Sequence, residues 1–374
     1  MRNNDTERFY IRPLVSFAGS DRAEGNCARL LAGGWAYFNR VEVIKKLSGN
    51  KIETCILSVK EFEEKLSLYP ESVALMYERL CANRPSVAGI SMTTPACMAI
   101  INTTPDSFSD GGLHDDVAVA FRHVQEIAEF SDIIDIGGES TRPEAKMIDE
   151  GVERDRVFPL LEKLNAIPDK KFAISVDTRK SLIMQESFSR GARIMNDVSA
   201  LSFDPESGNV VSELMRLDPM VCVCLMHAWD FCATSDDSLA GADAHCDVVL
   251  DVYDALEERI AYAVSCGIPR QRIILDPGIG FGKTTRHNLA LLKNIAIFHA
   301  LGLPILVGLS RKRFLGEISG EQDAKRRDPE TMVASMFCVE QGVQIHRIHN
   351  PRMFSCTLCT RDSLVRDSLV SVAD

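Results

Sequence analysis

From residue 98 onward, short apolar runs alternate with longer stretches in which apolar residues recur at helical spacing. The runs are rich in Val and Ile, and each ends in or just before a polar residue or a glycine. They are 98–101 (MAII), 132–137 (DIIDIG), 171–176 (KFAISV), 192–195 (ARIM), 221–225 (VCVCL), 272–275 (RIIL), 304–308 (PILVG) and 343–347 (VQIHR). The pattern predicts eight strands that alternate with helices.

Glycines mark the ends of several predicted helices. Four of them stand directly before the next apolar run: Gly191, Gly267, Gly302 and Gly342. A glycine in the left-handed conformation ends a helix and turns the chain toward the next strand. Eight such units over about 275 residues are typical of an α/β protein with a (β/α)8 barrel, the TIM barrel. A doubly wound open sheet is the alternative, but it more often has about five to seven strands and a glycine-rich first turn.

The first 85 residues precede this pattern. Residues 10–17 (YIRPLVSF) and 54–59 (TCILSV) have the composition of strands. Residues 58–80 predict one or two amphipathic helices with an interruption at Pro70. We therefore expect an additional N-terminal α+β extension over residues 1–85 and the barrel over residues 86–374. The extension is interpreted as a layer packed on the bottom or side of the barrel, or as a surface for self-association or partner docking.

Mostly polar residues stand at the C-terminal ends of the predicted strands, where the active sites of (β/α)8 barrels collect. They are Asn102, Glu139, Ser140, Thr141, Arg142, Asp177, Asn196, Asp197, Met226 with His227, Asp276, Ser310, Arg311, Lys312, Arg347 and His349. Turn formation or helix capping explains any one of them. Their concentration on one rim predicts a functional site. Residues 102–112 (NTTPDSFSDGG) then form a long, glycine-bearing first loop over the mouth of the barrel.

The overall composition excludes several classes of protein. The 374 residues carry 42 Lys and Arg against 53 Asp and Glu, a net charge of −11, so the basic surface of a nucleic-acid-binding protein is absent. The polar opening of the sequence and the lack of any apolar run of about 18 residues predict a cytoplasmic protein. The 12 cysteines suit a reducing compartment. Cys356 and Cys359 have the spacing of a zinc or redox pair, but no second pair accompanies them.

Positive residues nevertheless concentrate on the predicted rim, which favours an anionic ligand such as a phosphate or diphosphate. They are Arg142, Lys283, Arg311, Lys312, Arg313 and Arg347, with His349. The alternative, a solvated surface charge, applies above all to Lys283 and Arg313. Arg347 ends an apolar run, where a buried charge needs a partner. Asp177 and Asp276 also end apolar runs, and each is interpreted either as a helix N-cap or as an acceptor for the N–H groups of a planar heterocycle.

Eight motifs carry a specific resemblance. They are MAIINTTPDSFSDGG, DIIDIGGESTRP, ISVDTRK, IMNDVSAL, VCLMH, ILDPGIGFGKT, VGLSRKRFLG and HRIHN, in that order over residues 88–350. This set resembles that of the dihydropteroate synthases, folate-pathway enzymes with a pterin-binding (β/α)8 barrel and the targets of sulfonamides. The related pterin-binding methyltransferases share the Asp and Asn contacts, but they are not expected to carry GGESTRP together with SRK.

The resemblance implies a Mg2+-assisted condensation of 6-hydroxymethyl-7,8-dihydropterin diphosphate with p-aminobenzoate, which gives dihydropteroate and pyrophosphate. By position in the motifs, it assigns the pterin to Asp177, Asn196, Met226, Asp276, Phe281, Gly308 and Lys312; the diphosphate to Thr141, Arg142, Arg347 and His349; p-aminobenzoate to Phe108, Pro143, Phe281 and Lys312; and Mg2+ to Asn102. Asp177, Asp276, Lys312 and Arg347 would serve the chemical step. The resemblance also implies a homodimer. Ser310 and His227 have no evident base partner in the sequence and are interpreted as structural or orienting residues.

Two positions depart from the family pattern. Glu144 stands where Gly is expected, and Asn350 stands where Asp is expected. The polar tail after Pro351 predicts only a weak eighth helix. The alternative functions are a catalytically silent pterin-binding paralogue that acts as a regulatory subunit and a pterin-dependent methyltransferase. The presence of the residues assigned to the diphosphate and the amine favours the synthase.

Overall fold

The computed structural model describes residues 7–16, 28–47, 51–103, 113–139, 147–229 and 244–365. Its strands are β1 (Arg8–Ser16), β2 (Arg29–Leu30), β3 (Tyr37–Lys46), β4 (Ile52–Ser58), β5 (Ala96–Asn102), β6 (Ile133–Gly137), β7 (Ala173–Asp177), β8 (Ile194–Asp197), β9 (Cys222–Met226), β10 (Ile273–Asp276), β11 (Leu306–Val307) and β12 (Ile345–Ile348). Its α-helices are α1 (Val59–Lys65), α2 (Glu71–Cys81), α3 (Leu113–Ile127), α4 (Glu150–Asn165), α5 (Ser181–Ser189), α6 (Ser207–Leu217), α7 (Ala244–Ser265), α8 (Thr285–Lys293), α9 (Arg313–Ser319), α10 (Asp328–Glu340) and α11 (Pro351–Val365).

The strands β5 to β12 form a parallel barrel. Their order in the sheet is β10-β9-β8-β7-β6-β5-β12-β11. A parallel bridge between Leu275 and Ile305 connects the two end strands and closes the ring. Each of the eight apolar runs lies on one of these strands, so the predicted (β/α)8 architecture is confirmed and the open sheet is excluded.

The predicted helix-ending glycines all have left-handed backbone. Gly191, Gly267, Gly302 and Gly342 have φ angles of 93°, 89°, 76° and 79°. Gly302 also lies against the N-terminal part of the chain, because a Cβ there would be 2.8 Å from Cγ of Arg79. Glycine at this position therefore serves both the turn and a close packing contact.

One end of the barrel is filled by the segment that enters β5. Val87 and Ile90 exchange backbone hydrogen bonds of 3.0 and 2.8 Å. Val87 and Met92 belong to the buried cluster inside the barrel, together with Met98 and Ile133. This apolar plug occupies the N-terminal ends of the strands, so the polar chemistry is confined to the opposite rim.

The N-terminal layer, residues 7–81, contains an antiparallel sheet and two helices. Strands β1 and β4 were predicted from the sequence, as were α1 and α2 with the break at Pro70. Strand β3 was not predicted; it pairs with β1 along one edge and with β2 and β4 along the other. Glu42 lies between the buried Val41 and Val43, an alternation that is typical of a half-buried strand, so the signal for β3 was present in the sequence.

The N-terminal layer packs on the side of the barrel. The hydroxyl of Tyr10 donates to Asp254 of α7 at 3.0 Å, and the indole N–H of Trp35 donates to the carbonyl of Val339 on α10 at 2.8 Å. Tyr10, together with Val41, lies in the same buried cluster as Tyr253 of α7. The hydrophobic core therefore continues from the layer into the barrel, and a division of the chain at residue 85 stays a prediction.

The eighth helix, α11, is longer than expected from the polar tail. The side-chain oxygen of Asn350 accepts a hydrogen bond from the backbone N–H of Met353 at 3.1 Å, and Pro351 occupies the first helical position. Both features favour helix initiation. Burial of Phe354 then fixes the helix to the barrel. The prediction of a weak helix weighed periodicity over these capping signals, and the structure contains a helix of 15 residues here.

Two further expectations concern the cysteines and the membrane. Cys356 and Cys359 are exposed on α11, and no cluster of metal-ligating side chains occurs among the residues that the structure describes. The described helices include none that is long and apolar enough to span a bilayer.

Candidate active site

Strand register aligns the predicted site residues at the ends of β5, β7 and β8. Asn102 is paired with Gly137, Gly137 with Asp177, and Asp177 with Asn196. Asp276 is paired with Met226 on the next two strands. The structure therefore brings these strand-end side chains together. Four of the predicted site residues lie outside the described residues: Phe108, Thr141, Arg142 and Pro143, as does Glu144.

Arg347 joins two carboxylates across the barrel. Its Nε donates to Asp135 at 2.7 Å and its Nη2 donates to Asp177 at 2.8 Å. Burial opposes the charge, but these two carboxylates outweigh burial and raise the pKa of Arg347. Gly308 lies beside this side chain, since a Cβ on it would be 3.9 Å from Cβ of Arg347. The prediction that Arg347 needs a buried partner is confirmed.

Asp135 is a residue that the sequence analysis missed. It is fully buried on β6, and its Oδ1 accepts a hydrogen bond from Ser175 at 2.6 Å. The amide of Asn196 donates to its Oδ2 at 3.2 Å. Ile133 lies inside the barrel, and strand alternation points the side chain two residues later to the same face. An Asp at that position of DIIDIG was the available signal.

The two predicted carboxylates are held in unusual electrostatic surroundings. Burial raises the pKa of Asp177 to about 7; Arg347 opposes the rise, and Asp135 adds to it. One guanidinium serves two carboxylates here, so the second negative charge is not balanced. Burial likewise raises the pKa of Asp276 to about 6, against the backbone N–H of Gly278. Both groups can therefore change charge near neutral pH.

Neither aspartate is a helix N-cap. Lys180 is the N-cap residue of α5, and Thr284 is that of α8. Oδ1 of Asp276 instead accepts the N–H of Gly278 at 2.7 Å, inside the loop that follows β10. The functional interpretation of the two carboxylates is therefore favoured over the capping one.

Lys312 and Phe281 form one wall of the site. The ammonium of Lys312 lies 3.9 Å from the centroid of the Phe281 ring, within the range of a cation–π contact. Burial lowers the pKa of Lys312 to about 8, and Arg347 lowers it further. Arg311, the preceding residue, has a left-handed φ of 59° and donates to Asp328 at 2.7 and 3.0 Å. This bidentate pair fixes the strained backbone that leads into Lys312.

Ser310 and His349 form a hydrogen-bonded pair at the ends of neighbouring strands. Oγ of Ser310 lies 2.9 Å from Nδ1 of His349 and accepts its backbone N–H at 3.1 Å. Burial, followed by Arg311 and Arg347, lowers the pKa of His349 to about 3. Ser310 therefore has a base partner, contrary to the sequence analysis. His349 is neutral, so it is not one of the positive groups of the rim.

The root of the second loop is fixed by ion pairs. Glu139, the last described residue before that loop, accepts from Arg179 and from Lys180 at 2.8 Å each. Lys180 also contacts Glu153, which is fully buried on α4. Burial opposes ionisation of Glu139, but the two cations lower its pKa. Glu139 is thus an anchor for the loop.

Two of the predicted rim cations differ in their surroundings. Lys283 is only 8% exposed, so its interpretation as a solvated charge was wrong. Arg313 has a side chain that is 85% exposed and pairs with Glu317 one turn along α9. The solvated interpretation holds for Arg313.

The contacts of Asn350 show why this chain accommodates Asn where the family pattern has Asp. Its amide donates to Oδ2 of Asp328 at 3.1 Å, and Asp328 is the carboxylate that holds Arg311. An Asp at position 350 would place a second negative charge against Asp328. The neutral amide therefore suits this chain because Asp328 lies opposite.

We expect Asn350→Asp to lower the free energy of unfolding by about 1–2 kcal/mol at neutral pH, since it replaces a donor by a like charge. The loss should grow from pH 4 to pH 7, because repulsion raises the folded-state pKa of the carboxyl pair. Urea denaturation across this range measures it. Asn350→Ser, which retains a helix cap without a charge, is the control and should show little pH dependence. An equal loss at every pH would contradict the proposed contact.

The side chain of Asn102 is suited to a hard cation. Its Oδ1 and Oδ2 of Asp177 both flank Gly137, lying 3.7 and 3.6 Å from the position of a Cβ there. Amide and carboxylate oxygens are typical Mg2+ ligands, and Mg2+ is usually held by one or two protein groups together with substrate phosphates and water. The donor set around Gly137 fits a Mg2+ ion that arrives with a phosphate ligand.

Comparison with known proteins identifies relatives of the barrel. The family model described as pterin binding enzyme matches residues 98–349. A dihydropteroate synthase from Neisseria meningitidis serogroup C is 38% identical over 267 residues, covering 70% of this chain and 89% of that protein. The mitochondrial folate synthesis bifunctional protein of Arabidopsis thaliana is 40% identical over 284 residues, 72% of this chain. The match spans 49% of that plant protein, about half its length.

Solved structures of dihydropteroate synthases also resemble this chain. The dihydropteroate synthase of Xanthomonas albilineans with 4-aminobenzoic acid has a TM-score of 0.68 and 36% identity, covering 76% of this chain and 99% of that one. The same enzyme in complex with 7,8-dihydropteroate has a TM-score of 0.65 and 34% identity, covering 76% of this chain and 100% of that one. The family match begins at residue 98, so the N-terminal layer lies outside it.

Proposed function

This chain belongs to the pterin-binding enzymes, in the family of the dihydropteroate synthases, and from that membership we propose that it condenses 6-hydroxymethyl-7,8-dihydropterin diphosphate with p-aminobenzoate. The products are 7,8-dihydropteroate and pyrophosphate. The observation that carries the proposal is the buried carboxylate–guanidinium cluster of Asp135, Asp177 and Arg347 in a barrel of this family. Such a cluster offers both acceptors for a heterocycle and a cation for a departing anion.

The pterin is proposed to lie against Asp177, Asn196 and Asp276. The carboxylates would accept the N–H groups of the ring, and the amide of Asn196, fixed by Asp135, would complete the edge. Met226, Phe281 and Gly308 would shape the slot, and Lys312 would border it. Gly308 leaves space beside Arg347.

The diphosphate is proposed to bind to Arg347 and His349. Within the described part of the chain, Nη1 of Arg347 makes no hydrogen bond, so one donor is left for a ligand oxygen. Neutral His349, oriented by Ser310, would contribute a hydrogen bond without a charge. Thr141 and Arg142 are proposed partners on the second loop. Phe108, Pro143, Phe281 and Lys312 are proposed to receive p-aminobenzoate.

In the proposed reaction, the bond from the pterin methylene to the diphosphate oxygen breaks, and negative charge develops on the leaving group. Arg347 would stabilise that charge. The carboxylates of Asp177 and Asp276 would stabilise the positive charge on the pterin. The arylamine nitrogen of p-aminobenzoate then bonds to the methylene and gives a proton to the released pyrophosphate. This step requires positioning and exclusion of water but no covalent enzyme intermediate.

Mg2+ is proposed to be held by Asn102 and the diphosphate oxygens. When bound, the ion would supply Lewis-acid stabilisation of the leaving pyrophosphate. Placement of Asn102 beside Gly137 and Asp177 supports this assignment.

The test is pyrophosphate release by the purified chain with the pterin diphosphate and Mg2+, with and without p-aminobenzoate. We expect release that depends on p-aminobenzoate and is accompanied by dihydropteroate. Tight pterin binding without release would instead favour the silent regulatory paralogue. Methyl transfer from a methyl-pterin would favour the methyltransferase.

The raised pKa values of Asp177 and Asp276 predict that pterin binding weakens at acid pH. Ionisation lets both oxygens of each carboxyl accept N–H groups and strengthens these bonds. The KM for the pterin diphosphate should therefore rise as pH falls below about 7, by up to about tenfold per pH unit for each proton bound. Steady-state kinetics from pH 5 to 8 measure the effect. Asp276→Asn is the control, because it removes one titrating group and should flatten this dependence on pH, whereas titration of the substrate would persist.

The same shifts have the opposite consequence for the free protein. A carboxyl with a folded-state pKa near 6 or 7 keeps a proton that the unfolded chain loses near pH 4, so these groups make stability fall as pH rises through that interval. Pterin binding and stability of the unliganded protein therefore depend on pH in opposite directions at this site.

A homodimer in the cytoplasm is proposed for the assembly and compartment. The exposed apolar side chains of Val333 and Phe337 support self-association, since they lie one turn apart on α10 and are 74% and 43% exposed. Sedimentation of the purified chain tests the dimer.

A further inference from the structure

Lys283 ends the loop that follows β10, and its ammonium is buried beneath that loop. Nζ lies 2.9 Å from Nδ1 of His227 and 3.1 Å from the carbonyl oxygen of the same residue. It lies 2.9 Å from the carbonyl of Gly278 and 3.3 Å from that of Phe281. An ammonium has three N–H donors, so these four acceptors occupy it fully. Lys283 is therefore satisfied within the protein.

The loop closes tightly around this ammonium. Gly278 has a φ of +67°, and a Cβ there would be 1.7 Å from the carbonyl oxygen of His227, so only glycine allows this approach. On the other side, Asn288 of α8 accepts the N–H of Gly280 at 2.8 Å and donates to the carbonyl of Lys283 at 3.4 Å. The loop is thus held between the end of β9 and the start of α8.

This loop carries two groups of the proposed pterin site. Gly278 donates its N–H to Asp276, and Phe281 presents its ring to the ammonium of Lys312. Lys283 contacts the carbonyls of both loop residues. A change in the position of its ammonium would therefore move the Phe281 ring, and with it the wall that confines Lys312.

We propose that Lys283 is a positioning residue for pterin binding, which acts through Phe281 by holding the loop after β10 against the end of β9. This inference rests on the proposed function of the same site. It differs from the phosphate-binding role expected of a rim cation, because every donor of Lys283 is directed to the protein.

The charges around Lys283 agree with this role. Burial lowers the pKa of Lys283 to about 7, and Asp276 partly restores it. Burial and then Lys283 lower the pKa of His227 to about 3, so its Nδ1 stays a neutral acceptor for the ammonium. Both the ammonium and the neutral amine of Lys283 carry N–H groups, so the neutral imidazole of His227 can accept a hydrogen bond from either form.

The test is a double-mutant cycle on the dissociation constant of the pterin diphosphate, measured by calorimetry with Mg2+ present. We expect Lys283→Met to weaken binding about 10- to 100-fold in the wild-type background and less than about threefold in the Phe281→Leu background. Lys283→Arg, which keeps the charge and several donors, should recover part of the affinity. If Lys283→Met merely loosened the fold, the loss of affinity would be the same with Phe or with Leu at position 281.

Lys283→Met leaves buried carbonyls without donors, so the cycle is repeated with Lys283→Gln, which retains two N–H donors. The folded state of each variant is checked by circular dichroism. Affinity equal to wild type in the Met variant would overturn the proposal, as would an undiminished loss in the Phe281→Leu background. Failure of the wild-type chain to release pyrophosphate would contradict the proposed reaction, whereas the binding cycle would still decide the role of Lys283.

Discussion

Replacing Arg347 by lysine is expected to lower kcat/KM for the pterin diphosphate by at least about 100-fold, equivalent to about 2.7 kcal/mol. The guanidinium contacts Asp135 and Asp177 through two different nitrogens, and its third nitrogen makes no hydrogen bond to the described residues. A single ammonium cannot reproduce that planar fork. Pyrophosphate release with saturating p-aminobenzoate measures the loss.

Two further variants separate chemistry from stability. Arg326→Lys, at a side chain that is 76% exposed, is the matched control and should retain full activity. Adding Asp135→Asn to Arg347→Lys removes the carboxylate left unpaired and should recover thermal stability without recovering turnover. Normal turnover in the single Arg347→Lys variant would exclude Arg347 from the diphosphate site.

Tyr10→Ala is expected to lower the free energy of unfolding of the whole chain by about 3–5 kcal/mol, the cost of removing a large buried side chain. Tyr10 is fully buried, and its ring packs edge-on against Tyr253 with the centroids 5.3 Å apart. Because the core continues from the N-terminal layer into the barrel, loss of helix signal and loss of activity in urea should shift together.

Matched substitutions sharpen this result. Tyr10→Phe removes only the hydroxyl that donates to Asp254 and should cost about 1–3 kcal/mol. Leu68→Ala, at a side chain that is 80% exposed, should be nearly neutral. An activity midpoint that did not move in Tyr10→Ala would mean that the layer unfolds as a separate domain.

The barrel could be predicted from the sequence because its strands are buried on both faces. Such strands appear as continuous apolar runs, and glycines with left-handed backbone mark the helix ends between them. β3 and α11 differ in this respect. The alternation of Val41, Glu42 and Val43 is a strand signal, so β3 was predictable and was overlooked. α11 is fixed by the Asn350 cap and burial of Phe354, which apolar periodicity does not reveal.

Individual residues of the candidate site could be predicted from the sequence, but the contacts between them could not. Residues at strand ends are visible in the sequence, whereas the contact of Arg347 with Asp135 joins positions 212 residues apart. The same limit applies to Lys283, which the sequence cannot distinguish from a solvated surface charge. Its burial depends on where the loop after β10 meets His227, which only the folded barrel determines.

The attachment of the N-terminal layer also has a consequence for synthesis of the chain. Asp254, the hydrogen-bond partner of Tyr10, follows it by 244 residues in the chain, and Val339 follows its partner Trp35 by 304 residues. At about 5–20 residues per second, the ribosome delivers Asp254 roughly 10–50 seconds after Tyr10. During that interval the apolar side of the first sheet has no barrel to cover it. The N-terminal layer therefore completes its packing only after most of the barrel has been synthesised.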